Sequence, residues 1–360
     1  MLKMSSITQY VVRYSPKQAE IVADLLERIQ SNKLPPGAEL PSLVDMSKQY
    51  NASTTTIQRS IVHLRERGYI ETKSHGSTVA ENPPHLSHFG LVVPSYSYQS
   101  QYVVALEKEA EYLSDSTSAD GMKRRFSVYY DFDYPDDSVR KHTSLMTAVE
   151  ENVFGGLIFA VLTKSAYEIV KHKSNIPCAS LFMASVPGFK NIRQVELVSR
   201  SLDILKERHR RRVAFITGSR DAGRDVATFI ARTQQRGMTA YPRWIHGIDP
   251  AGMAWAETCA QLLMNDREPP DALIIGDDNL VPSATAGIAA SGVNVPDDLM
   301  IVAHANFPYP TRCEVPAIRI GTDIRRQLKT AVENIEAMRR GKDAPDEIVM
   351  QPCLEDEAMS

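Results

Sequence analysis

The sequence predicts an α/β protein in which a small helical module with a β-wing precedes a two-lobed body of parallel sheets. Three observations carry this expectation. Capped helical patterns crowd residues 1–82 and end in a hairpin pattern, and paired prolines follow at Pro83 and Pro84. From Phe89 onward, short apolar runs then alternate with helical patterns, the rhythm of parallel strands covered on both faces by helices. The domains drawn this way are 1–82, a semi-rigid linker at 83–88, and 89–360.

Pro16 falls near the first turn of a helix whose Ile21, Val22, Leu25, Leu26 and Ile29 share one apolar face. Ser42 can cap the next helix, with Asp45 three residues on answering the cap's own N–H as in a capping box. Asn51 tolerates a left-handed turn and so ends that helix early, and Ser53 caps a third. Along the third helix Ile57, Ile61 and Leu64 lie on one side, leaving Thr54, Thr55, Gln58 and Arg59 on or near the other. After Gly68, runs at 69–72 and 77–80 flank Ser74, His75 and Gly76, the pattern of a β-hairpin. Two helices joined by a tight turn, the second with a polar flank near its N-terminus, are what a duplex reader presents to the major groove. A wing tip carrying Lys73, His75 and the permissive Gly76 can touch phosphate or dip into the minor groove.

Charge is consistent with this. Residues 1–82 hold ten Lys or Arg against eight acids, a net of +2 in a chain totalling −3, so the rest carries −5. Such a weakly basic module binds DNA tightly only when a second copy adds its phosphate contacts. Four scattered cysteines, with no Cys-x-x-Cys pair, indicate neither a zinc site nor a disulfide framework. No run of eighteen apolar residues occurs and the N-terminus lacks a charged-then-apolar signal, which points to the cytoplasm and away from a membrane.

In the body, strands are expected at 89–93, 126–130, 156–161, 177–182, 213–217, 240–245, 272–275 and 299–303, with Ile318 and Ile320 in a further one. Helices are expected at 101–113, 139–151, 164–173, 195–208, 226–236, 253–264, 282–290 and 323–340. Two such sheets of similar length suggest two lobes with a cleft between them. In open α/β sheets ligands settle beyond the carboxyl ends of the strands, which draws attention to Ser95, Tyr96 and Tyr98 after the first strand. A tyrosine there can cover an apolar face of a ligand and hydrogen-bond through its hydroxyl. The basic run 208–212 reads as a solvated turn before a strand.

Residues 15–82 resemble the winged helix-turn-helix of the GntR family of bacterial repressors, most specifically through Pro36-Gly37-x-x-Leu40-Pro41-Ser42. The resemblance implies DNA contacts from Ser42, Ser53, Thr54, Thr55, Thr56, Gln58, Arg59, Lys73, His75 and Gly76. Val44, Thr54 and Gln58 stand where that family commonly carries arginines, which implies a different operator, since glutamine can pair with adenine N6 and N7. Residues 88–356 resemble the LacI-type effector domain, which shares its fold with periplasmic sugar-binding proteins. The residues carrying this are Pro270 to Asn279 and Gly292 to Val302. The combination is similar to the arabinose-repressor branch of GntR regulators.

By that resemblance, Glu196 and Asp277 are candidate acceptors for a sugar-like effector, alongside Ser95, Tyr96 and Tyr98. The family's ligand-binding arginine is replaced by Asp225, with Arg224 beside it, and a late acid is replaced by Ala305, with Asn306 beside it. Arg224 and Asn306 are therefore included as compensating candidates. The expectation is a homodimeric regulator, a repressor in sign, on a palindromic double-stranded operator, needing no cofactor or metal. A second reading keeps DNA binding and makes the altered cleft only a dimerising scaffold. The third, an α/β enzyme, finds no phosphate loop, His-Glu-x-x-His motif or nucleophile elbow to support it.

Overall fold

The computed structural model describes residues 15–73, 76–94, 100–116, 123–131, 145, 148–149, 154–160, 176–181, 185–249 and 252–359. The N-terminal module consists of α1 (Pro16–Gln30), α2 (Leu43–Tyr50), α3 (Thr54–Glu66), β1 (Ile70–Lys73) and β2 (Gly76–Val79). Each helix begins on a serine: Ser15 accepts from Gln18 N, Ser42 from Asp45 N and Ser53 from Thr56 N. Asn51 adopts the left-handed conformation, φ 48° and ψ 53°, which turns the chain sharply enough for α3 to cross α2. Ile21, Leu25, Met46, Ile57, Leu64, Ile70 and Val79 close a core of their own. Tyr50 pins the end of α2 to Asp24 of α1 through its hydroxyl, and burial together with that carboxylate pushes the phenol up to about 12.

Antiparallel β1 and β2 pair Ile70 with Val79 and Lys73 with Gly76. A third short stretch joins them, because Leu40 N donates to Ser77 O at 2.9 Å and Val79 N to Ala38 O at 2.8 Å. The Pro-Gly segment thus becomes the inner edge of the wing. At 84–87 the connecting segment is a turn of 3-10 helix rather than an extended spacer, with His85 buried within it.

Two six-stranded sheets make the body. The first lobe contains β3 (His88–Pro94), α4 (Gln101–Asp115), β4 (Arg125–Asp131), β5 (Gly156–Phe159), β6 (Cys178–Ser180) and β7 (Lys190–Gln194). The chain then enters the second lobe with α5 (Val198–Glu207), β8 (Val213–Gly218), α6 (Ser219–Gln235), β9 (Ile245–Ile248), α7 (Trp255–Met264), β10 (Ala272–Ile275), α8 (Val281–Ser291), β11 (Met300–Phe307) and β12 (Ile318–Asp323). It returns through α9 (Ile324–Arg339), whose Leu328, Ala331, Val332 and Ile335 lie in the first lobe's core. β13 (Glu347–Met350) completes the first sheet, and β14 (Cys353–Leu354) and α10 (Glu355–Met359) finish on the second. The orders are β13-β7-β6-β5-β3-β4 and β14-β12-β11-β10-β8-β9, parallel throughout except at the β12–β14 edge.

Three local differences from the sequence-based expectation stand out, two of them with clear causes. β7 is a strand although only Ile192 among its residues is apolar, because β6 and β13 both pair with it. The strand expected at 240–245 begins only at Ile245: Thr239 touches the sheet, then Pro242, which has no N–H to give, starts a 3-10 turn. α6 begins at Ser219, seven residues before the apolar pattern at 226. The pattern at 164–173 and nearly all of that at 139–151 lie outside the described residues. At 208–212 the basic run is a turn anchored from below, with Arg211 N and Arg212 N donating to Asp271 and the Arg210 guanidinium donating to Pro296 O and Asp297 O. In α8, Gly287 lets this helix approach α7 closely, because a Cβ there would collide with Glu257 O.

Candidate nucleic-acid interface and interlobe boundary

Burial decides which face of α3 is available. Ile57, Ser60, Ile61 and Leu64 are buried in the module, while Thr54, Thr55, Gln58 and Arg59 are exposed on its outward flank. Ser53 and Thr56 join hydroxyls at 2.8 Å and Ser53 also accepts from Thr56 N at 3.1 Å, so these two are engaged in holding the helix start. Ser42 does the same for α2. It accepts from Asp45 N at 3.1 Å and donates its hydroxyl to the Asp45 carboxylate at 2.6 Å, so the expected reciprocal bond forms through the hydroxyl rather than the backbone N–H. An open groove of about 510 Å³ runs along the outward flank, and Gln18 of α1, Val62, His63 and Glu66 line it together with Thr55, Gln58 and Arg59. The first four were not among the sequence candidates, and Gln18 could have been found only by knowing how α1 crosses α3.

The exposed start of α3 carries Thr54 and Thr55, and its N–H groups point outward with the positive end of the helix dipole, a favourable place for phosphate. Leu43 and Val44, at the start of α2, are also exposed and apolar, so the α2 contribution there is shape rather than charge. On the wing, Lys73 lies 3.7 Å from Glu81, and Gly76 opens β2 at φ 141°. His75 lies outside the described residues.

At the lobe boundary, the strand order reverses beside β3 in one sheet and beside β8 in the other, and the segments after these strands and after β5 and β10 border the two switch points. Ser95, Tyr96 and Tyr98 follow β3 but lie outside the described residues. Arg224 sits in the first turns of α6, its side chain likewise outside them. Asp277 lies two residues beyond the end of β10. Its carboxylate accepts from Asn279 N at 3.0 Å and from Asn279 Nδ2 at 2.7 Å, which fixes the Asn279 side chain. That side chain then reaches the other lobe, where its Oδ1 accepts from Gln101 N at 2.9 Å. Ser100, at the N-cap of α4, makes no side-chain capping bond, so Asn279 satisfies from the second lobe a helix start belonging to the first.

Asn306 is fully buried, and its Nδ2 donates to the Asp278 carboxylate. Burial pushes the Asp278 carboxyl above its usual range, with His304 pulling the other way and the Asp277 charge adding to the rise. His304 Nδ1 lies 4.0 Å from Asp278 Oδ1. Glu196, in the first crossing between lobes, forms an ion pair with Arg232 of α6. Of the effector candidates, the structure thus places Asp277 and Asn306 in one neighbourhood and Glu196 on another element. Among the described residues no group of three or more His, Cys, Asp or Glu side chains is arranged to hold a metal ion, and no helix is long and apolar enough to cross a membrane.

With this geometry in view, residues 17–79 match the profile of bacterial regulatory proteins of the gntR family. The N-terminal module is a GntR-family DNA-binding domain. Residues 202–355 match a periplasmic binding protein-like domain. Solved structures similar to the body include a LacI family transcription regulator from Clostridium acetobutylicum, with 15% identity, a TM-score of 0.57 and coverage of 74% of this chain and 98% of that one. A LacI family regulator from Bifidobacterium animalis subsp. lactis has 18% identity, a TM-score of 0.56 and coverage of 75% and 96%. A LacI regulator from Lactobacillus casei, solved with bound Tris, has 14% identity, a TM-score of 0.55 and coverage of 75% and 95%. No curated protein matches the chain significantly. The chain thus joins a GntR-type DNA-binding domain to a body with the periplasmic-binding-protein-like fold, the fold also seen in these LacI-family structures.

Proposed function

We propose that this GntR regulator is a cytoplasmic homodimeric repressor, released from a palindromic operator when a small polyhydroxylated effector settles between the lobes. Its reader spans residues 1–82, its linker 83–88, and its effector-binding and dimerising body 89–360. The observation that carries the DNA half is the exposed flank of Thr54, Thr55, Gln58 and Arg59 at the start of a rigidly capped α3. Thr54 and Thr55 offer methyl and hydroxyl groups to base edges, Gln58 suits adenine, and Arg59 suits guanine or phosphate. Lys73, His75 and Gly76 on the wing, and Ser42, Ser53 and Thr56 at the helix starts, complete the contact set. One module covers one half-site, so a two-fold pair matches a palindrome.

The effector half is supported by the polar residues gathered after β10 and at the end of β11, and by the similarity to a regulator that holds Tris, itself a polyhydroxylated amine. Asp277 and Asn306, with Ser95, Tyr96, Tyr98, Glu196 and Arg224, form the candidate contact set. An effector acts only through a difference in its affinity for two lobe arrangements, and DNA must weaken its binding by the same factor. Thermal-shift screening against sugars, sugar phosphates and polyols tests this, followed by operator titration with each compound that raises Tm. A stabilising compound that also releases DNA supports the proposal. Intact operator binding with no stabilising compound favours the alternative in which the body only dimerises.

A further inference from the structure

α9 touches both the lobe boundary and the segment that carries the DNA reader. At its first turn, Arg325 Nε lies 3.5 Å from Oε1 of Glu109, a fully buried carboxylate of α4. Glu109 also accepts from the Tyr309 hydroxyl at 3.1 Å, and Tyr309 follows β11 of the other lobe. Two residues farther along α9, fully buried Gln327 accepts from the Tyr102 hydroxyl at 3.0 Å. Tyr102 adjoins Gln101, the residue capped by Asn279 from the second lobe. The start of α9 is therefore held by groups whose positions depend on how the lobes meet.

Its far end is held as tightly by different partners. Glu336 is buried and grips Arg124, just before β4, through two bonds of 2.8 and 3.0 Å. The Arg339 guanidinium donates to Leu86 O in the connecting segment. Burial lowers the Arg339 guanidinium to about 10, opposed by Glu336 and assisted by Arg340 and Arg124. The connecting segment and β5 meet here without a side chain between them, because a Cβ on Gly155 would lie 2.5 Å from Leu86 O and 2.6 Å from Arg339. His85 in turn stacks on Tyr69 at the base of the wing, ring centroids 5.8 Å apart and planes within 8°. Between the two ends, Leu328, Ala331, Val332 and Ile335 are buried in close-packed core, which braces the helix against bending. At about 1.5 Å per residue the helix is roughly 24 Å long.

We infer that α9 is the transmission element of this regulator: its first turn registers the lobe contact made by Tyr309, and its last turn sets the position of the linker through Arg339 and Leu86. This rests on the effector-controlled reading above and supplies its route. Tyr309 and Arg339 are positioning residues, acting on the reader only through other groups.

Hydrogen–deuterium exchange of the full-length, ligand-free chain tests the route. Tyr309→Phe removes one hydroxyl at the lobe boundary and keeps the ring, so folding is preserved. Peptides spanning 82–90, at the other end of α9, should then exchange roughly 2- to 10-fold faster, the effect of a lost hydrogen bond passed along a rigid element. Arg339→Met should accelerate the same peptides without affecting α4, and the double variant should match Arg339→Met alone. Linker exchange at the wild-type rate in Tyr309→Phe, or additive effects in the double variant, would overturn the inference. No ligand enters the experiment, so failure to find an effector leaves its result intact. Effector-driven operator release with an unresponsive linker in Tyr309→Phe would remove α9 as the route while preserving control.

Discussion

Arg59→Ala is the sharpest test of the recognition face. Arg59 is exposed on α3, and no hydrogen bond or ion pair holds its side chain among the described residues. Its replacement therefore removes nothing that supports the fold, and alanine is at least as good a helix former. Stability should move by no more than about 0.5 kcal/mol. If the guanidinium grips a base edge bidentately, each half-site loses about 1–3 kcal/mol of discrimination. For the proposed dimer the loss is about 2–6 kcal/mol, or from about 30-fold to about 10⁴-fold in Kd. If it grips a phosphate instead, affinity falls for every sequence alike, and the slope of log K against log salt shrinks by about 0.9 per contact. Fluorescence anisotropy on an operator selected by the wild-type protein, repeated across salt concentrations and on a scrambled duplex, separates the two cases. Wild-type affinity and slope in Arg59→Ala would refute the assigned face.

Leu64→Ala opens a cavity in a core that belongs to the reader alone, so it should cost about 2–5 kcal/mol there and abolish operator binding while calorimetry finds the body's transition in place. Ser53→Ala should cost about 1 kcal/mol by uncapping α3, read as a lower Tm of the reader with weakened operator binding. His85 gives a pH signature. Burial first, then the nearby Arg339 charge, lower its imidazole from 6.5 to about 4, so the folded state holds it neutral. The unfolded chain takes up the proton first as pH falls, so stability from this group is complete above about pH 6.5 and declines between 6.5 and 4. The decline is at most about 3 kcal/mol. His85→Phe keeps the ring against Tyr69 and should flatten that part of a denaturation-versus-pH curve; an unchanged curve would show that His85 is not the titrating group.

The reader was nearly all legible because its determinants are local. Ser42 and Ser53 sit three residues before the N–H groups they cap, Asn51 turns the chain by its own backbone, and Ile57, Ile61 and Leu64 mark one face by spacing alone. The alternation of the body was legible for the same reason. What escaped depends on partners distant in the chain: Lys190–Gln194 becomes a strand through pairing with β6 and β13, and β13 and β14 join sheets begun far earlier in the chain. The lobe boundary shows this most clearly. Asp277, a candidate contact for an effector, also fixes Asn279 for a bond to Gln101, 178 residues away. No spacing rule reaches across that separation.

In the proposed mechanism one molecule couples duplex recognition to occupancy between the lobes. The direct measurement is Kd for the selected operator, by anisotropy at fixed salt, with and without the compound that most raises Tm. We predict at least about tenfold weaker operator binding with the compound present, and an equal weakening of compound binding when operator is present. Operator affinity indifferent to every stabilising compound, or a protein that selects no duplex at all, would contradict it.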